Sequence, residues 1–155
     1  MKVRVKFEKT EGMRFVGHLD LMRFFQKAIR RANIPIKYSE GFSPHQIMSF
    51  GAPLSMGVAG LGEYMDIELL DDKKISSAEG VKRLNDVMCP GMKVTKFLQI
   101  PDDSKTAMAL MDTADFKAEF KEKVSQEDIE NAIERLLLKD SILLTKVSKK
   151  KKKNK

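Results

Sequence analysis

A short segment with several chemically active side chains lies at Tyr38–His45. It places hydroxyl groups, an imidazole and two aromatic rings next to Gly41, which lacks a Cβ and so allows a left-handed backbone or a close approach. Backbone N–H groups and the Ser43 hydroxyl of such a loop could bind a phosphate. A second histidine, His18, lies two residues before Asp20, and histidine can act as an acid or a base near neutral pH. The candidate pocket consists of His18, Asp20, Ser39, Gly41, Phe42, Ser43 and His45.

The same residues also have structural explanations, which the sequence leaves open. His45 could instead hydrogen-bond the backbone of an ordinary turn. This alternative stays open because the segment lacks the repeated glycines of a phosphate-binding motif such as a Walker loop. His18 falls on the apolar side of a predicted helix, which is typical of a buried histidine. Asp20 suits a helix N-terminus and can pair with Arg23 three residues later. We assign no catalytic residue and expect no metal and no cofactor, since two histidines and one cysteine supply few ligands.

The helix predicted over His18–Asn33 carries a stripe of positive charge. At about 100° per residue, Phe25 and Ile29 fall on one side of the helix and the cations on the other. No acidic residue lies between Arg23 and Arg31. Because arginine and lysine bind phosphates, we predict a nucleic-acid-binding surface, with a solvated helix face as the alternative. Its residues are Arg23, Lys27, Arg30 and Arg31 on the helix, and Lys2, Arg4 and Lys6 on the strand before it.

The positive charge is concentrated in two places. The formal net charge is +7, but the last ten residues contain seven lysines and no acid, so the rest of the chain is neutral. Residues 1–50 contain ten basic and four acidic side chains, whereas residues 101–145 contain six and eleven. Lys2, Arg4 and Lys6 stand where RNA-recognition motifs carry aromatic residues, so phosphate contacts should dominate over base stacking. The basic tail, residues 149–155, could be a nucleic-acid arm or a solvated end.

Residues 1–100 predict an α+β unit of the ferredoxin-like βαββαβ type. Alternation of Val3, Val5 and Phe7 with basic residues indicates a half-buried strand, and Glu63–Leu70 and Met92–Ile100 have similar patterns. With the two helical segments and a short strand between them, the order is strand, helix, strand, strand, helix, strand. That order is typical of an antiparallel sheet with both helices on one face.

Residues 101–148 predict a partial second unit of similar type, βαβ, whose remaining strands would lie beyond this chain. Apolar residues alternate with charged ones over Ala114–Lys121, which indicates a strand. Ser125 is a good N-cap for a helix that ends at Leu138, and Ile142–Val147 reads as another strand. The alternative is a single mixed α+β domain with an extended sheet.

Composition excludes several classes of protein. Hydrophobic residues make up 42% and charged residues 33%, which is typical of a folded globular chain. A single cysteine excludes an internal disulfide framework. No apolar run approaches the roughly 18–20 residues that a membrane span needs, and the first residues have no signal-peptide pattern. We expect a cytoplasmic protein without membrane association, and the sequence leaves its oligomeric state open.

A family resemblance is carried by residues 2–70. The matching strings are Val3–Phe7, Arg14–Asp20, Ala28–Ala32, Tyr38–His45 and Gly62–Asp66. On these strings the chain resembles the radical-SAM-linked proteins, a bacterial family of unknown function. Members are often encoded beside, or fused to, a radical SAM protein with a cobalamin-binding region, and some lie near genes for a ribonuclease and ribosomal proteins. The resemblance implies a helper or substrate-presenting role and no established activity.

The predicted function is therefore that of an RNA-binding accessory module for a radical SAM or RNA-processing partner. With one cysteine, the chain lacks the three-cysteine motif of a radical SAM cluster, so we expect it not to be an enzyme on its own. One alternative is a protein-docking adaptor that holds a partner through the loop 39–62 without binding RNA. The other is an enzyme with a pocket around His18 and His45.

Overall fold

The computed structural model describes residues 1–70 and 75–143. The α+β class predicted from the sequence is confirmed, and the order of strands and helices up to residue 100 is the predicted one. A 3₁₀ helix at Glu11–Phe15 links the first strand to the first helix. The strands are β1 (Lys2–Lys9), β2 (Met48–Phe50), β3 (Gly60–Glu68) and β4 (Met92–Ile100), and the helices are α1 (His18–Arg31), α2 (Ser77–Asn85), α3 (Ala107–Leu110) and α4 (Gln126–Leu137).

The strands form one antiparallel sheet in the order β2-β3-β1-β4. β1 is one of the two central strands: its Val5 lies opposite Met65 of β3 on one side and Phe97 of β4 on the other. Opposite residues of antiparallel strands point to the same face of the sheet. These three side chains are almost completely inaccessible to solvent, so they mark the buried face.

Helices α1 and α2 cover this buried face. Phe25 of α1 is fully buried, and its ring centroid lies 4.8 Å from that of Phe7 and 5.8 Å from that of Phe50, both in edge-to-face geometry. Helix α2 approaches the sheet so closely that a Cβ on Gly80 would lie 2.5 Å from the Phe97 ring. Only glycine permits this approach. The apolar side of α1 therefore faces the sheet, and its opposite side faces solvent.

The open face of the sheet is partly covered by the segment after β4. Arg4 of β1 and Asp66 of β3 lie opposite each other on this face. Arg4 donates from Nε and Nη2 to the two Asp66 carboxylate oxygens, at 2.7 and 2.9 Å. The same carboxylate accepts a hydrogen bond from the backbone N–H of Ala107 at 2.7 Å, and Arg4 Nη2 donates to the Lys105 carbonyl at 2.9 Å. This ion pair therefore anchors α3 to the sheet.

The chain divides into two compact units, Met1–Ala114 and Asp115–Lys155. Helix α4, in the second unit, begins after Ser125, whose hydroxyl accepts a hydrogen bond from the Asp128 N–H, as the sequence predicts. The strand predicted at Ala114–Lys121 is not observed: these residues form no strand and have no strand partner among the residues that the structure describes. The predicted strand Ile142–Val147 lies mostly outside the described residues, so the βαβ assignment stays a prediction. Within the described residues, no helix is both long and apolar enough to cross a membrane.

Replacing Phe25 by Ala should reduce the free energy of unfolding by about 3–5 kcal/mol, because it removes a buried ring that contacts β1 and β2. Urea denaturation followed by circular dichroism measures this loss. Phe42→Ala is the matched control, since Phe42 is fully exposed, and it should change stability by less than about 0.5 kcal/mol. Equal losses in the two variants would contradict the packing described above.

Candidate nucleic-acid interface

The four predicted cations of α1 are all exposed. They lie opposite a buried stripe, because the helix places Leu21, Phe25, Ala28 and Ile29 against the sheet. The geometry of the helix therefore brings Arg23, Lys27, Arg30 and Arg31 to one solvent-facing surface. We call these four residues the α1 stripe.

The members of the α1 stripe differ in how far their charge is compensated. Arg23 Nη1 lies 3.1 Å from Asp20 Oδ1, in an exposed pair that compensates its charge. Arg31 Nη2 donates to the Val87 carbonyl at 3.3 Å, which fixes the side chain but leaves its charge. Lys27 and Arg30 have no carboxylate partner in the part of the chain that the structure describes. Within the α1 stripe, the uncompensated positive charge is therefore concentrated at Lys27, Arg30 and Arg31.

Two shallow hollows meet at Arg30. The first is lined by Phe24 together with the last three members of the α1 stripe. The second contains Arg30, Tyr38 and Arg83 among its lining residues. Tyr38 is 44% exposed, so its ring is accessible. The surface thus combines cations with two aromatic side chains. Phe24 lies on α1 itself, whereas the position of Tyr38 next to the stripe depends on tertiary contacts.

Arg83 joins the surface because α2 packs beside the end of α1. Its Nη1 donates to the Asn33 carbonyl just after α1, at 3.2 Å, and its Nη2 pairs with Glu79 one turn earlier in α2. Arg83 therefore contributes a positioned guanidinium whose charge is partly compensated. No sequence pattern indicated this residue, because Arg83 lies 50 positions after Asn33 along the chain.

The strand residues of the predicted interface lie on the other side of the sheet. Lys2, Arg4 and Lys6 alternate with the buried residues of β1 and so belong to the open face. Arg4 is held by Asp66, and this hydrogen-bonded pairing raises the pKa of its guanidinium. Lys2 Nζ donates to the Asp102 carbonyl, and Lys6 Nζ lies 5.7 Å from the centroid of the Tyr64 ring. The structure therefore brings together the four helix cations but separates them from the three strand cations.

The candidate pocket residues fall into two groups. His18 lies at the start of α1, and its ring packs edge-to-face on Phe50 at 5.3 Å, while Asp20 pairs with Arg23. His45 Nδ1 lies 2.9 Å from Ser39 Oγ, and the His45 N–H donates to the same oxygen at 3.1 Å. Among the described residues no hydrogen bond or ring contact joins His18 to His45.

The remaining pocket candidates shape an exposed loop. The turn depends on Gly41, whose φ of +109° favours glycine. Gly41, Phe42 and Ser43 are all exposed, and Phe42 is fully so. The Ser39–His45 hydrogen bonds close this loop at its base, and the His45 imidazole there contacts a side-chain hydroxyl group rather than the backbone.

Lys9 is a buried charge that sequence reasoning missed. It is 1% exposed and follows Val3, Val5 and Phe7 on the buried face of β1. Its Nζ donates to the Arg14 carbonyl at 3.3 Å. Burial lowers the pKa of Lys9, and the nearby Glu63 carboxylate opposes this effect. Burial likewise raises the pKa of Glu63, and the Lys9 ammonium group opposes that effect. In β1 every second residue is buried, and this alternation extends to Lys9. Extending the alternation of Val3, Val5 and Phe7 by one step would therefore have predicted that Lys9 is buried.

The fold and surface described above define an α+β unit with a cationic helix face. The chain belongs to a family described as uncharacterized protein conserved in bacteria (DUF2344), which matches residues 2–155. This membership agrees with the predicted bacterial family of unknown function. No curated protein and no solved structure matches the chain.

Because Lys9 is buried, the free energy of unfolding should vary with pH in the alkaline range. Because the folded state lowers its pKa, the unfolded chain binds more protons between that pKa and 10.5, and stability rises with pH in this window. The free energy of unfolding of the wild type, minus that of Lys9→Met, should therefore increase as pH approaches 10.5. Urea denaturation over an alkaline pH series measures the difference, and a difference independent of pH would contradict the burial of this ammonium group.

Proposed function

We propose that the chain is an RNA-binding accessory module that contacts the phosphate backbone through the exposed face of α1. The observation that carries this proposal is the uncompensated charge of Lys27, Arg30 and Arg31 around hollows that also contain aromatic rings. The two cations of α2 have carboxylate partners instead: Lys82 Nζ lies 2.6 Å from Asp86 Oδ2, just after the helix, and Arg83 pairs with Glu79. A surface of one sign gains affinity for a polyanion by releasing its counterions.

Single-stranded RNA fits this surface best. Its phosphates can lie along Lys27, Arg30 and Arg31, where a guanidinium can form paired hydrogen bonds to phosphate oxygens. An unstacked base can then lie against Tyr38, with Arg83 at the same hollow. A duplex keeps its bases stacked inside the helix, so it would use the cations but not the aromatic ring.

We also propose that Met1–Ala114 has a ferredoxin-like arrangement. The strand order, the antiparallel pairing and the position of α1 and α2 on one face support it. Folds of this kind can bind RNA on the open sheet face, using aromatic residues. In this chain the Arg4–Asp66 pair anchors the segment after β4 on that face, which supports the helix side as the binding surface.

The reaction that the module serves would belong to a partner enzyme. The resemblance to radical-SAM-linked proteins supports a radical SAM or RNA-processing partner, and the single cysteine requires that any iron–sulfur cluster be held elsewhere. A docking role for the loop around the fully exposed Phe42 is compatible with this assignment. In that case the loop would contact the partner while α1 holds RNA.

Reversing three charges of the α1 stripe should abolish most RNA binding. The variant Lys27→Glu, Arg30→Glu, Arg31→Glu should bind a fluorescent single-stranded oligonucleotide at least roughly tenfold more weakly at low salt. Its plot of log affinity against log salt concentration should be shallower by about 2, since three phosphate contacts are lost. Fluorescence anisotropy measures both quantities, and circular dichroism verifies folding.

The matched control reverses three exposed cations on the other side of the sheet. Lys93→Glu, Lys96→Glu, Lys105→Glu changes the net charge by the same amount and leaves the lysine tail intact. It should bind within a few-fold of the wild type. If both variants lose binding equally, general charge rather than the α1 stripe is responsible; if only the control loses it, RNA binds the open face. Either result contradicts the proposal.

Replacing Tyr38 by Ala should weaken binding of the same oligonucleotide by about 1–3 kcal/mol, the typical contribution of one stacked base. Tyr64→Ala is the control, because Tyr64 lies on the open face beside Lys6. Inorganic polyphosphate, which has no bases, should bind Tyr38→Ala as well as it binds the wild type. Equal weakening for polyphosphate and RNA would show that Tyr38 supports the surface rather than stacking on a base.

A further inference from the structure

The segment Asp115–Lys121 in the second unit has the alternation typical of a strand and a symmetrical pattern of charge. Its aromatic side chains are largely exposed, Phe116 by 77% and Phe120 by 64%. Its charged residues alternate in sign, from Asp115 through Lys117 and Glu119 to Lys121. Although the alternation of apolar and charged residues is typical of a strand, the segment has no strand partner among the described residues.

We propose that this segment pairs with the same segment of a second copy, as an antiparallel two-stranded ribbon centred on Ala118. In that register Asp115 lies opposite Lys121, and Lys117 lies opposite Glu119. Each phenylalanine lies opposite the other phenylalanine of the second copy, and Ala118 lies opposite itself. Every charged pair therefore joins opposite signs, as a two-fold symmetric interface requires of a self-complementary surface.

Three alternative pairings bring like charges together. In a parallel, in-register pairing each charged residue would face its own copy. A shift of the antiparallel centre from Ala118 to Lys117 would place lysine opposite lysine and Asp115 opposite Glu119. A shift to Glu119 would place Glu119 opposite itself and Lys117 opposite Lys121. Directly opposed like charges destabilise a strand pair. Among two-fold symmetric registers, the one centred on Ala118 is favoured because it places an opposite charge across from all four charged residues of the segment.

The ribbon also requires a cover for its apolar face. In the proposed pairing, the four phenylalanines of the two copies lie on one face and the charges lie on the other. A two-stranded ribbon alone is only marginally stable in water. Helix α4 begins five residues after Lys121 and exposes apolar side chains, including Ile133, Leu136 and Leu137. The helices of the two copies supply the apolar surface that would cover the phenylalanines.

This dimer is independent of the RNA-binding proposal, because none of its residues belongs to the α1 stripe. Sedimentation velocity of the full chain over a concentration series tests it. The wild type should pass from its monomer mass of 17.6 kDa to twice that mass as concentration rises. A single monomeric species at every concentration would overturn the proposal.

Charge exchange tests the register. Lys117→Glu alone, or Glu119→Lys alone, creates two like-charge contacts per dimer and should weaken dimerisation by on the order of tenfold. The double variant Lys117→Glu, Glu119→Lys restores opposite charges and should dimerise like the wild type. An equimolar mixture of the two single variants should form a heterodimer for the same reason.

The control variant is Lys123→Glu, which makes the same charge change at a position opposite the uncharged Thr113 in this register. It should dimerise within a few-fold of the wild type. Circular dichroism establishes that all variants keep their helices, so that weaker association is not the result of unfolding. Dimers of unchanged strength in both single variants, or a double variant as weak as the singles, would overturn the ribbon.

Discussion

The packing of Phe25 against Phe7 and Phe50 is the contact on which the rest of the structure depends. It joins α1 to β1 and β2 and fixes the rotation of the helix about its own axis. Once Phe25 points to the sheet, residues on the opposite side of α1 must point to solvent. The exposure of Lys27 and Arg30 is therefore a consequence of core packing.

The two sides of the sheet use their positive charges differently. On the open face, Arg4 forms an ion pair with Asp66, and both residues also hydrogen-bond the backbone of the segment after β4. On the helix side, Lys27 and Arg30 lack carboxylate partners within the described residues. Net charge does not distinguish these cases, because a guanidinium counts the same whether it is paired or free. The distinction comes from tertiary contacts, because the sheet register places Asp66 opposite Arg4.

Sequence patterns predicted the features that depend on local periodicity. The alternation at Val3, Val5 and Phe7 located β1, and the apolar spacing around Phe25 located the buried side of α1. Features that depend on distant contacts were not predictable: Asp66 is 62 residues from Arg4 along the chain, and Arg83 reaches the end of α1 only after folding. The burial of Lys9 does not follow from its residue type, because lysine side chains are usually exposed, although its position in β1 is a buried one. The alternation around Phe116 predicts a strand that is not observed among the described residues. Periodicity shows that a segment can form a strand, but it does not show that a partner strand lies beside it.

The most direct measurement of the central claim is a map of amide chemical-shift changes when a single-stranded RNA oligonucleotide is added to the isotopically labelled protein. The account predicts that the largest changes occur at Lys27, Arg30 and Arg31, with further changes around Tyr38 and Arg83. Amides of β4 on the open face, such as Lys93 and Lys96, should be unaffected. Changes confined to the open face, or to the lysine tail alone, would contradict the assignment of α1 as the RNA-binding surface.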